Sequence, residues 1–224
     1  MLQLETESDL KLLQTNEIEE GLTLEFKREL DLSDRPKKAE AAKDVSALAN
    51  AVGGQIIFGV DEIDRGDGAK VAGPIVPLVD AELLDRLRNI LNSSIHPRPR
   101  FNLRRVDVPG GYALIADVFP SLGNDLHMVT GFKDLRFHKR NSNGTFVMSE
   151  PEIRESYMRI AISRQALDAT IESAIASEIQ HVPTMQESVF IVPLFGHRDL
   201  VSPQQLGLHF GEKLGHGFHD PTWP

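Results

Sequence analysis

The chain has 224 residues, with 33 acidic side chains against 24 lysines and arginines and a formal charge of −9. That length buries a substantial core without staples, and the absence of cysteine excludes a disulfide framework, a thiolate metal site and a cysteine nucleophile. No stretch reaches the roughly 20 apolar residues of a membrane helix, and Met1-Leu-Gln-Leu-Glu-Thr-Glu7 lacks the pattern of a secretory signal, so a cytoplasmic chain with no membrane partner is expected.

In chain order, Asp9 to Glu19 carries Leu10, Leu12, Leu13 and Ile18 at spacings that predict a short helix. Leu22, Leu24 and Phe26 then alternate with Thr23, Glu25 and Lys27, the period-two pattern of a strand with one dry and one polar face. The loop Asp31 to Pro36 follows, and Lys37 and Lys38 open an Ala-rich helix through Ala41, Val45, Leu48, Ala49 and Val52. Positive charge suits the start of a helix poorly, so these lysines are candidates to face a phosphate. Gly53-Gly54 can supply a left-handed stop, and Gln55 to Val60 reads as a strand buried on both faces.

Glu62 to Gly68 predicts a hairpin tip feeding a return strand near Val71. Asp80 to Leu91 is amphipathic through Leu83, Leu84, Leu87, Ile90 and Leu91, and the prolines of His96-Pro-Arg-Pro-Arg100 forbid its continuation. Two antiparallel strands, Phe101–Val108 and Tyr112–Phe119, are joined by Pro109-Gly110-Gly111. A strand over Asp134 to Arg140 places Arg136, His138 and Arg140 on one face. Ser149-Glu-Pro-Glu152 is a capping box opening a helix that can run through Ile160 towards Ile179. This helix is long enough to serve as a linker or to support a homodimer. From His181 onward a strand over Val189–Phe195, a helix capped near Ser202 and a terminus with His216, His219 and Asp220 match no motif. The organisation expected is a domain over 1–160 and a helical or irregular extension over 161–224.

Charge is unevenly spread. Residues 1–34 hold ten acids against Lys11, Lys27 and Arg28, whereas Arg98 to Arg140 holds eight basic residues against four acids. That reversal leaves room for a polyanion to bind a chain that is acidic overall. Several chemistries fail on inventory. There is no Gly-x-x-x-x-Gly-Lys-Ser/Thr phosphate loop, so no nucleotide cofactor is implied, and neither a Gly-x-Ser-x-Gly elbow nor a His-Glu-x-x-His helix exists.

Three blocks remain: Glu20-x-x-x-x-Glu25-Phe-Lys27, then Ala47-x-Ala49-Asn50-x-x-Gly53-Gly54, then Gly59-Val60-Asp61. In this order and spacing the chain resembles the Schlafen AlbA-type domain over about residues 15 to 160. The resemblance implies an α+β fold, a mixed sheet flanked by helices, and nucleic acid, DNA or RNA, as partner. Lys27, Lys37, Lys38, Arg136, Lys139 and Arg140 are the candidate phosphate-binding residues. Asn50, in the family's most recognisable block, joins the site as a cofactor- or ligand-binding candidate.

Some animal Schlafens are endoribonucleases with acids at positions equivalent to Glu20, Glu25 and Asp61. The resemblance therefore implies a rival reading as a metal-dependent RNase, with these three holding Mg²⁺ or Mn²⁺ and Lys27 steadying the developing charge. Hard cations prefer such carboxylates, and Glu25 and Lys27 share one strand face. On that reading the acids repel one another, and Glu25→Gln leaves the domain as stable as before or more so. A third reading, an oligomerisation module without nucleic acid, rests on the long helix.

Overall fold

The computed structural model describes residues 1–121, 125–132, 135–142 and 144–181. The chain divides into two units, Met1–Ile160 and Ala161–Pro224. The expectations for Val189–Phe195, Ser202, His216, His219 and Asp220 lie outside the described residues.

Helix α1 (Glu7–Thr15) starts two residues earlier than its apolar spacing suggests, because Thr6 and Asp9 close a capping box. Strand β1 (Leu24–Lys27) leads to α2 (Arg35–Ala49), which Asp34 caps by accepting from the Lys37 amide at 2.9 Å. Next come β2 (Gly54–Phe58), β3 (Val60–Asp64), β4 (Lys70–Ile75), α3 (Leu83–Ser94), β5 (Ile95–His96), β6 (Phe101–Val108) and β7 (Gly111–Val118). The chain continues with β8 (Met128–Val129), β9 (Arg136–Asn141), β10 (Gly144–Val147) and α4 (Glu150–His181). At the start of α4 the Glu152 carboxylate reaches back to accept from the Ser149 amide and hydroxyl at 2.8 and 2.7 Å, one half of the expected capping box.

The fold is α+β. A mixed sheet has the order β1-β2-β7-β6, with β1 parallel to β2 and the other pairs antiparallel. The β1-α2-β2 crossover supplies the parallel pair, as parallel neighbours require. A second, antiparallel sheet has the order β10-β9-β8-β5, and β3 and β4 form a separate hairpin. Between α2 and β2, Gly53 takes φ +74° and packs where a Cβ would stand 2.6 Å from the Val118 carbonyl oxygen, so only glycine fits.

Both faces of the mixed sheet are dry, as the apolar run of β2 predicts. Ile56, Leu114 and Ala116 pack with Val45 and Leu48 of α2 and Leu87 and Leu91 of α3. On the other face Phe26, Ile57, Ala113 and Ile115 meet Leu4, Leu10 and Leu13. Residues Leu2 to Leu4 lie across this sheet because Gln55 exchanges hydrogen bonds with Leu2 at 2.7 and 2.9 Å and also donates to Asp117 at 2.7 Å. Arg104 completes that buried network by donating to Asp117 at 2.9 Å and to the Leu4 carbonyl.

Candidate functional site

Strand β1 departs from its expected division into a dry and a wet face. Leu24 and Phe26 are buried as expected, but Glu25 is only 8% exposed. The cause is Arg140 of β9, itself 6% exposed. Its guanidinium donates to the Glu25 carboxylate at 2.5 Å, to the Gly21 carbonyl at 2.9 Å and to the Leu24 carbonyl at 3.3 Å. The other Glu25 oxygen holds the Lys27 ammonium at 2.6 Å. Arg140, expected to contact phosphate, is thus an internal tie with all three nitrogens committed.

Lys27 has a second acid neighbour, Asp44 of α2, at 3.7 Å. Asp44 is 5% exposed, and the Thr145 hydroxyl stands 3.5 Å from its other oxygen. Burial, reinforced by the charges of Glu25 and Glu40, pushes its carboxyl up to about 7 against the pull of Lys27 and Lys43. Burial works against the charge of Lys27, but Asp44 and Glu25 outweigh it and hold the ammonium above the usual lysine range. Sequence reasoning passed over Asp44, although a signal was there. Ala41, Asp44 and Leu48 follow one helical stripe, so an acid interrupts an otherwise apolar face.

Asp44 has a stability consequence of definite sign. Its carboxyl is held above the ordinary aspartate value of 3.8 in the folded chain, so between the two values the folded state binds more protons. Its contribution to stability therefore falls as pH rises from about 4 to about 7. Asp44→Asn is expected to remove that decline, raising the melting temperature at pH 8 relative to wild type and leaving it nearly unchanged at pH 4. Thermal melts across this range check it, and an Asn variant that melts lower than wild type at pH 8 contradicts it.

The acids expected to share a divalent ion take separate partners. The Glu20 carboxylate accepts from the Phe26 amide at 2.7 Å. Burial raises its pKa against that bond, with Glu62 and Glu25 adding repulsion. Asp61 is engaged by Arg28 and accepts from the Glu62 amide at 3.1 Å. Glu25 is neutralised by Lys27 and Arg140. Among the described residues no group of three acids or histidines is placed to hold a metal ion. Lys27 and Arg140 hold Glu25, Arg28 holds Asp61, and the Phe26 amide holds Glu20, so the three carboxylates are turned to different partners. Glu20, Glu25 and Asp61 thus form no three-acid cluster among the described residues.

Asn50, the C-cap of α2, is also committed. Its side-chain amide donates to the carbonyls of His127 and His138, both at 2.8 Å, and its oxygen accepts from the His127 amide at 2.7 Å. Both amide hydrogens are used, so Asn50 is a strut between α2 and the second sheet rather than a ligand contact. His127 is buried, and burial lowers its pKa, while a ring nitrogen contacts the Pro97 carbonyl at 2.7 Å.

The remaining basic candidates reach the surface. Lys37 is bonded to Asp31. Lys38 is half-buried and Arg136 exposed. Lys139 points to the opposite face of β9 from His138 and Arg140, is half-buried, and makes no salt bridge among the described residues. Several other surface cations are matched locally, such as Arg88 by Asp85 and Lys70 by Glu62, both at 2.6 Å.

None of the curated proteins matches the chain. Among solved structures it is similar to the DIP2311 protein from Corynebacterium diphtheriae, at 19% identity and a TM-score of 0.35 over 57% of this chain, but spans only 22% of that protein. It is also similar to the N-terminal domain of a RecG-related protein from Nitrosomonas europaea. There the identity is 20% and the TM-score 0.40, over 66% of this chain and 96% of that one. The family model described as Schlafen, AlbA_2 matches residues 20–149, the span that begins at Glu20, includes the Asn50 strut and closes at the cap of α4. The chain therefore belongs to the Schlafen AlbA_2 family.

Proposed function

We propose that this domain binds nucleic acid, DNA or RNA, chiefly through phosphate contacts made by the second sheet. The observation that carries the reading is the composition of that sheet. Strands β5, β8, β9 and β10 contain His96, Arg136, His138, Lys139 and Arg140 and not one acid, in a chain whose formal charge is −9. Family membership over residues 20–149 supports the same partner. Arg140 and His138 are turned inward, so Arg136 and Lys139 are the β9 cations that meet solvent, with Lys38 of α2 as a third candidate. Contacts of this kind position a polyanion without reading its sequence.

The rival ribonuclease reading needs gathered carboxylates, and Glu20, Glu25 and Asp61 are each engaged elsewhere. No feature of the described residues favours the oligomerisation reading over binding.

Salt tests the proposal. Affinity for a labelled polynucleotide is expected to fall steeply and linearly on a logarithmic scale as salt rises. Lys139→Ala is expected to weaken binding to every sequence alike and to reduce the salt slope by about 1. Salt-independent binding, or an unchanged slope in the variant, counts against it.

A further inference from the structure

The second sheet has two faces of different character. Ile95, Val129, His138 and Arg140 are buried on the inner one. On the outer face the register aligns His96 with Met128 and Met128 with Phe137 across β5, β8 and β9, and aligns Lys139 with Phe146 across β9 and β10. These outer residues are half-buried, apart from the exposed His96, so their surfaces are reachable. Phe137 is backed by Tyr157 of α4, whose ring meets it edge to face with centroids 6.4 Å apart and planes at 82°. Tyr157 itself is 49% exposed.

Charge favours a polyanion over an apolar partner on this face. The four strands hold no carboxylate. The nearest acid, Glu152, is held at the start of α4 by the Ser149 amide and hydroxyl, which lower its pKa, with Lys139 adding a smaller pull. Lys139 stands directly beside Phe146, so a cation and an aromatic ring form one unit. A lysine flanked by phenylalanines fits a ligand that offers a phosphate and a flat base together. A duplex keeps its bases stacked inside, whereas a single strand can splay them onto aromatic rings.

We infer that the outer face of β5-β8-β9-β10 is a stacking platform for single-stranded nucleic acid, with Phe146 and Tyr157 receiving bases, Phe137 supporting Tyr157, and Lys139 holding the intervening phosphate. The inference rests on the nucleic-acid-binding reading and adds the class of strand. It also assigns roles to Phe146 and Tyr157, which no sequence motif had singled out.

The experiment is a fluorescence-anisotropy titration of the full chain with labelled oligouridine, oligothymidine and a blunt duplex of equal length. Phe146→Ala and Tyr157→Ala are each expected to lower single-strand affinity about 10-fold, from the loss of one base–aromatic contact, while duplex affinity stays unchanged. Tyr157→Phe keeps the ring and is expected to bind as wild type. Phe146→Leu keeps the apolar bulk, preserves folding, and is expected to show the same single-strand loss as Phe146→Ala. If both alanine variants bind single strands as wild type does, the platform is overturned and general phosphate binding stands. If wild type binds none of the three probes, both readings fall.

Discussion

Arg140→Ala is expected to destabilise the first unit by about 3–5 kcal/mol, the usual consequence of removing one member of a buried ion pair. For a domain of this size that lowers the melting temperature by about 10 °C. The loss has two origins. Glu25, 8% exposed, is left with only Lys27 beside it, and the carbonyls of Gly21 and Leu24 lose their donor. Glu25→Gln is expected to destabilise as well, reversing the sequence-based expectation that repulsion among acids would make it neutral. Glu25→Gln gives up the contacts of Arg140 at 2.5 Å and Lys27 at 2.6 Å, whereas no contact joins Glu25 to Glu20 among the described residues. Pairing Arg140→Ala with Glu25→Gln removes both buried charges and is expected to recover part of the loss, giving a coupling of opposite sign to the single costs. Urea unfolding of the four proteins measures it. Additive costs would show that Glu25 and Arg140 act independently and would refute the tie.

The second large effect is at Asn50. Truncation to Ala orphans the His127 amide and the carbonyls of His127 and His138 together. At roughly 1–3 kcal/mol for each buried group left unpaired, discounted because Asn50 is partly exposed, the expected cost is about 3 kcal/mol. Asn50→Asp keeps the acceptor for the His127 amide but faces two carbonyl oxygens with a negative charge, so it is expected to rescue nothing. Denaturant midpoints give the cost, and amide exchange at His127 is expected to rise first. A ligand-binding asparagine behaves otherwise: its Ala variant melts like wild type and loses only affinity.

Much of the fold was legible because its signals are local. The alternation in Leu22 to Lys27, the Ala-rich stripe, the apolar run of β2 and the capping box at Ser149 each express one element's own periodicity or end chemistry. What escaped was tertiary. Nothing within β1 says that its polar side will be covered, because the cover is Arg140, 115 residues later. The same blindness made Asn50 look like a ligand contact and Arg140 like a phosphate contact, since a side chain saturated by distant backbone reads as a free polar group in sequence. Asp44 was the exception, visible as an acid on an apolar stripe and overlooked because it belongs to none of the three blocks. The outer face of β9 was hidden differently. The alternation put Arg136, His138 and Arg140 on one face and Lys139 was named for its charge alone, so its aromatic neighbours Phe137 and Phe146 on the other face went unread.

The span of the Arg140 tie also bears on how the domain comes together. All three of its acceptors belong to residues that leave the ribosome more than a hundred positions earlier, with a separation of 119 for Gly21. Closing so long a loop is entropically unfavourable until intervening strands have paired. The mixed sheet can assemble from β1, β2, β6 and β7 before β9 exists, and during that interval Glu25 waits in water with Lys27 as company. Locking β9 down is then a late event, and interactions made late restrain escape from the native state more than they hasten arrival. The guanidinium of Arg140 thereby acts as a latch on the lifetime of the folded domain.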